Sequence, residues 1–344
     1  MMSKLGKIVV IGGGSGSAVA LKGLVKKNLD ISVIVTMFDS GGSSGKLRDE
    51  FGLLPVGDIR QCLLALSDSD KSSVKGMVDV LNYRFDKDSS LSGHSVGNLV
   101  LAALTSIHKD LGKAIRELSL LLNTKGRVIP VTYDQSNLCA RLMNGQIIHS
   151  ESNIDLREES NPAIKEIYLD KPVEVNEDAV KEIHNADLIL LGPGDLYTSI
   201  IPNFLVPEIK NAIRDTRAKI IYASNLMTKL GETSGYEASK FSSEILSYLY
   251  NSKFDLLLLN NNVPPEIVLK AYEKEKAEIV SIDEKVNDYS KSLVIKNFIR
   301  LEGTTVRHDS VSYTHLRAHE TDSSILCRLL LEKKRGGGGG GGGG

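Results

Sequence analysis

The stretch Ile8-Val9-Val10-Ile11-Gly12-Gly13-Gly14-Ser15-Gly16 decides the fold. Four β-branched residues read as a buried strand, and the glycines after them read as a tight turn into a helix. A second unit repeats the pattern: Ile31-Ser32-Val33-Ile34-Val35-Thr36-Met37-Phe38-Asp39 runs into Gly41-Gly42-Ser43-Ser44-Gly45-Lys46. Strand, glycine loop and helix in that order offer a phosphate backbone N–H groups and the positive end of a helix. Two such loops on successive strands suit a nucleotide-type ligand with more than one anionic or sugar group.

The alternation continues. Apolar runs at 127–132, 187–191, 219–223 and 255–259 read as strands buried on both faces. Amphipathic stretches at 17–27, 58–66, 95–107, 111–122 and 237–250 read as helices between them. The prediction is an α/β protein, doubly wound, with a three-layer αβα arrangement around a mostly parallel sheet. Residues 133–176 differ: short runs at 146–148 and 164–169, flanked by turn residues, predict a small β-rich insertion. The insertion is read as part of a single domain spanning 1–310. From about 311 the rhythm is lost and the chain ends in Gly336 to Gly344, so 311–344 reads as a non-native or disordered tail.

Composition narrows the function. With 41% hydrophobic residues in 344, the core is ample; a net charge of -1 argues against a nucleic-acid footprint. Aromatics at 5% and no Trp argue against base-stacking platforms. Cys62, Cys139 and Cys327 form no CxxC pair and read as thiols in a reducing cytosol. No apolar stretch is long enough to span a bilayer, and Ile8 to Ile11 is too short for a signal peptide. The expectation is a cytoplasmic protein without membrane insertion.

Loop one fits only part of a dinucleotide fingerprint. Gly12 and Gly14 take the first two positions, Ser17 takes the third, and Gly16 offers a different close approach. An NAD-dependent oxidoreductase is therefore the weaker reading. Asp39, at a strand end, suits a ribose hydroxyl, a Mg²⁺ ion, a base at a phosphate, or a cap for the next turn. Loop two is not a Walker A loop, since Leu47 stands where Ser or Thr belongs, but Lys46 and Arg48 are placed to meet an anion. A third loop, Gly192-Pro193-Gly194-Asp195, also follows a buried strand, and Asp195 would repel a phosphate unless a metal bridged them. His94 reads as an acid or base, or as a structural residue at a helix start. Asn98 and Asn225 could fix a base or sugar.

Together these residues resemble the CofD-like family and, within it, the YvcK-type gluconeogenesis factors. The matching pieces are Gly12-Gly13-Gly14-Ser15-Gly16, Asp39 to Arg48 (with Gly41, Gly42, Ser43 and Ser44), and Pro55-Val56-Gly57-Asp58-Ile59-Arg60. They continue with Gly93-His94-Ser95-Val96-Gly97-Asn98-Leu99, Gly192-Pro193-Gly194-Asp195-Leu196-Tyr197-Thr198-Ser199, Asn225-Leu226-Met227-Thr228 and Arg307-His308-Asp309. The resemblance implies a Rossmann-like fold, a homodimer, and ligand binding by these motifs. YvcK-type members are associated with gluconeogenic growth, cell shape and UDP-sugars such as UDP-N-acetylglucosamine. The CofD branch transfers 2-phospho-L-lactate from a guanosine diphosphate conjugate to a deazaflavin alcohol with Mg²⁺, for which Asp39 would be a metal ligand or catalytic group. Two departures stand out. The family usually carries a pair of acids where this chain has Asp39-Ser40, and Ser where it has Asp195. Loss of the second acid is expected to weaken any metal-assisted mechanism.

Overall fold

The computed structural model describes residues 6–68, 72–86, 91–251 and 253–314. The strands are β1 (Gly6–Gly12), β2 (Leu29–Val35), β3 (Arg127–Pro130), β4 (Leu138–Leu142), β5 (Ile147–His149), β6 (Ile164–Leu169), β7 (Leu188–Leu191), β8 (Lys219–Ala223), β9 (Leu256–Asn260), β10 (Leu293–Lys296), β11 (Ile299–Glu302) and β12 (Thr305–His308). The helices that matter below are α1 (Gly14–Leu24), α2 (Gly42–Phe51), α3 (Gly57–Leu66), α4 (Val96–His108), α5 (Leu111–Leu121), α6 (Glu151–Asp155), α7 (Glu177–Asn185), α8 (Pro207–Asp215), α9 (Ala238–Leu249) and α10 (Ser310–Thr314).

Seven strands form one sheet in the order β10-β9-β8-β7-β1-β2-β3, and every pairing in it is parallel. The reason is visible in the strands themselves. Val10, Ile34, Leu191 and Ile221 are fully buried, and neighbours on both faces of each strand are buried too, so helices must cover both sides. On one side α1 packs on α3, and α3 on α4 and α5; on the other α7 packs on α8 and α8 on α9. Truncating Leu191 to Ala would cost about 2–5 kcal/mol in this close-packed layer.

The edge strand β10 is not evident in the sequence pattern. It is half exposed, with Ile295 facing out, so it lacks the continuous apolar run of the central strands. The predicted β-rich insertion is an antiparallel sheet in the order β5-β4-β6. Its central strand, Leu138-Cys139-Ala140-Arg141-Leu142, has no β-branched residue to mark it. The hairpin β11–β12 and α10 close over α1. Cys62 and Cys139 are buried free thiols. Cys327 and most of the tail expected from 311 lie outside the described residues.

Candidate functional site

The strand order reverses between β1 and β7, and the loops leaving their C-terminal ends diverge there. Such a switch point opens a crevice at the C-terminal edge of a parallel sheet. A cavity of about 190 Å³ lies in it, lined by Ser15 and Gly16 from loop one, Gly194, Asp195 and Ser199 from loop three, and His308 from the C-terminal hairpin. The loops meet through glycine. A Cβ on Gly16 would run into the Pro193 carbonyl, and one on Gly14 into Asp58. These glycines therefore let protein approach protein, besides leaving backbone open to a ligand. His308 is half-buried, and the protein packed around its ring holds it neutral, pushed down to about 3.

Asp58 opens α3 beside the start of α1, where it accepts a hydrogen bond from the Gly14 amide. Burial, and then the charge of Asp39, push its carboxyl up to about 7. Ser44 faces the same corner and accepts a hydrogen bond from the Gly57 amide at 3.1 Å.

Loop two leads into a buried polar chain with a fixed direction. Arg60 Nε donates to Asn98 Oδ1 at 2.9 Å, which makes Nδ2 the end facing Ser43. Asn98 Nδ2 donates to Ser43 Oγ at 3.0 Å, leaving the Ser43 hydrogen for His94 Nδ1, 2.9 Å away. A second Arg60 contact, NH1 to Asn82 Oδ1 at 3.0 Å, anchors the chain. Burial lowers the guanidinium to about 10, so it stays charged at neutral pH.

The insertion supplies acids that the sequence motifs did not reveal. Asp39 Oδ1 accepts from the Gly41 amide at 2.8 Å, a turn cap, and its carboxyl also hydrogen-bonds the carboxyl of Glu151 on α6. Two carboxyls can do this only by sharing a proton. Both are pushed up, by burial first, with Asp39's charge acting on Glu151. Ser40, where the resemblance implies an acid, hydrogen-bonds Ser152, and Glu151 brings a second carboxyl to Asp39. The one sign of Glu151 in the sequence was the polar run Ser150-Glu151-Ser152-Asn153, which also reads as a turn.

Asp195 does not stand as a bare charge. Lys229, in the loop after β8, lies 3.1 Å from it, 3.0 Å from Glu232, and in contact with Asp155. Burial alone would lower the Lys229 ammonium, but Glu232, Asp195 and Asp155 outweigh it and hold it well above its ordinary range. Glu232 is buried, and burial pushes it up to about 8 despite Lys229.

Of the residues singled out in the sequence, the Gly12–Gly16 loop, Asp39, Asp58, Ser43, Ser44, His94 and Asn98 come together around this edge of the sheet. Others are committed to the protein. Tyr197 is 1% exposed, and its hydroxyl lies 3.0 Å from that of Tyr236. Thr198 is buried within the turn Leu196–Ile200. Asn225 donates to the Gly194 carbonyl at 2.9 Å and accepts from Tyr222, so it braces loop three. Lys46 is exposed and reaches the Ser92 carbonyl at 3.4 Å, while Arg48 donates to Asn137 at 3.2 Å. Gly192, with φ of 72°, sets the sharp exit from β7.

No helix among the described residues is long and apolar enough to cross a membrane. The family model of 2-phospho-L-lactate transferase CofD matches residues 8–299. A Thermotoga maritima protein is 41% identical over 314 residues, covering 89% of this chain and 96% of its own length. The gluconeogenesis factor of Bacillus subtilis is 38% identical over 312 residues, covering 90% of this chain and 96% of that protein. A crystal structure of a Bacillus halodurans protein superposes with a TM-score of 0.83 at 37% identity, covering 89% of this chain and 97% of that one. The chain belongs to the CofD family, on the branch of the gluconeogenesis factors.

Proposed function

We propose that this protein binds a nucleotide sugar, of the UDP-N-acetylglucosamine type, at the C-terminal edge of its sheet. Through that binding it links carbon metabolism to cell shape in the cytoplasm, acting as a homodimer. The observation that carries the reading is the convergence of loops one and three on one cavity at the β1/β7 switch point. The start of α1 has no side-chain cap at Gly13, and Asp58 takes the adjacent Gly14 amide. An incoming phosphate would take that place and gain the helix terminus.

The charges around the edge point to a companion cation. Asp39 and Glu151 are oxygen donors brought against each other and held above their ordinary carboxyl range, burial being the first cause, and their hard oxygens suit Mg²⁺. These two residues would hold the ion. Bound there, it would neutralise phosphate oxygens that the acids would otherwise repel. The chain's own contribution is orientation: loop one presents backbone at Ser15 and Gly16, and Gly194 and Ser199 form the opposite wall.

The paired Asp39 and Glu151 carboxyls also favour a second reading, a phospho-group transferase of the 2-phospho-L-lactate type. Asp39 would then take the proton from an acceptor hydroxyl while the loops align the diphosphate. Calorimetric titration with UDP-N-acetylglucosamine and with GDP, each with and without Mg²⁺, tests both readings. UDP-selective binding supports the first, GDP-selective binding supports the second, and no binding of either contradicts both.

A further inference from the structure

We propose that Lys229 is the positioning residue for the Asp39–Glu151 carboxyl pair, acting as a tethered cation that holds α6 by its far end. The inference rests on the reading that this pair binds a divalent cation.

A helix of five residues does not hold itself in water. α6 is fixed from outside at three points. At its start, Glu151 Oε2 accepts from the Ser40 amide at 3.2 Å, and the Ser152 amide donates to Ser40 Oγ at 2.9 Å. In its middle, Ile154 is fully buried. At its end, Asp155 contacts Lys229. Glu151 and Asp155 are four residues apart, so both carboxyls lie on one face of the helix. What grips Asp155 therefore fixes the roll of α6 and, with it, where Glu151 stands.

Lys229 is built for this grip. Its own amide donates to Thr233 Oγ1 at 3.0 Å, and the neighbouring Thr228 amide to the Glu278 carbonyl at 2.7 Å, so the backbone that carries it is held. Asp155, Asp195 and Glu232 place carboxylate oxygens within 4.8 Å of one another, a spacing that elsewhere suits a metal ion. Here the ammonium meets all three. It joins the insertion, the loop after β7 and the loop after β8 at one point. It also offsets the Asp155 charge, which otherwise adds to the repulsion felt by Asp39 and Glu151.

The test uses the whole chain with Mn²⁺ as the probe. Mn²⁺ affinity is measured by calorimetry, and exchange of the Ser40 and Ser152 amides by hydrogen–deuterium exchange without metal, for the wild type, Lys229→Gln, Lys229→Arg and Asp155→Asn. Supporting groups behind a metal ligand are worth about 10- to 100-fold in affinity. Lys229→Gln and Asp155→Asn are expected to weaken Mn²⁺ by that factor and to speed exchange at both amides, and Lys229→Arg to restore both. Asp155→Asn leaves Lys229 with its other partners, so its effect separates the grip on α6 from general loss of fold. Wild-type exchange at Ser40 and Ser152 in Lys229→Gln and Asp155→Asn would overturn the proposal. If the wild type takes up no Mn²⁺ but both variants exchange faster, the cation reading fails and the positioning role stands.

Discussion

The Glu151 carboxylate accepts a hydrogen bond from the Ser40 amide at 3.2 Å, although 111 residues separate the two in sequence. This contact brings the insertion onto loop two and places a second acid beside Asp39. Glu151→Gln keeps an acceptor for the Ser40 amide and removes the charge. Mn²⁺ affinity is expected to fall by about 100-fold or more, beyond the effect of a merely supporting group. The melting temperature without metal should not fall, because a crowded acid is gone. Unchanged Mn²⁺ binding would remove Glu151 from the site.

The raised carboxyls make stability depend on pH. Asp58 is pushed from 3.8 to about 7 and Glu232 from 4.5 to about 8, burial being the first cause for both. Between those values the unfolded chain releases its protons and the folded protein keeps them, so stability falls as pH rises through that window. The melting temperature of metal-free protein is expected to drop between about pH 4 and 8 and to level off above that. Mg²⁺ should lessen the drop, because a cation bound at Asp39 and Glu151 would favour the ionised form of neighbouring Asp58. A flat or rising curve without metal would contradict these assignments.

Arg60 sets the direction of the chain from Asn98 through Ser43 to His94. Arg60→Met keeps the aliphatic contact beneath Gly97 but leaves the Asn98 and Asn82 carbonyls without their donor. The expected loss is about 3–6 kcal/mol, from two hydrogen bonds to a charged group at about 1.5–3 kcal/mol each. Urea unfolding measures it, and a loss under about 0.5 kcal/mol would show that the chain is not fixed from Arg60.

Lys46 and Arg48 look like a phosphate clamp in the sequence, but their contacts in the structure run to Ser92 and Asn137. Lys46→Ala is therefore expected to change nucleotide affinity by less than about threefold, in line with a surface contact. A tenfold or larger loss would return Lys46 to the phosphate site.

The sheet was legible because its central strands are buried on both faces, which leaves runs such as Leu188-Ile189-Leu190-Leu191 with no polar interruption. β10 was not, because an edge strand alternates. Loops one and three leave the two strands that flank the switch point, and they are glycine-rich because tight turns and close approach both demand glycine. Glu151, Asp155 and Glu232 stayed hidden for another reason. They carry no local spacing rule, and only the docking of the insertion onto the sheet brings them to one place. Asn225 shows the converse. Its amide suits a sugar or base and lines the cavity, and the structure adds a bracing role, one bond to the Gly194 carbonyl and one from Tyr222.

The most direct measurement is calorimetric titration of the full chain with UDP-N-acetylglucosamine in the presence and absence of Mg²⁺, repeated on Asp39→Asn. The account predicts saturable binding to the wild type that tightens with Mg²⁺, and loss of that Mg²⁺ effect in the variant. Absence of UDP-sugar binding with Mg²⁺ present, or an equal Mg²⁺ effect in Asp39→Asn, would contradict it.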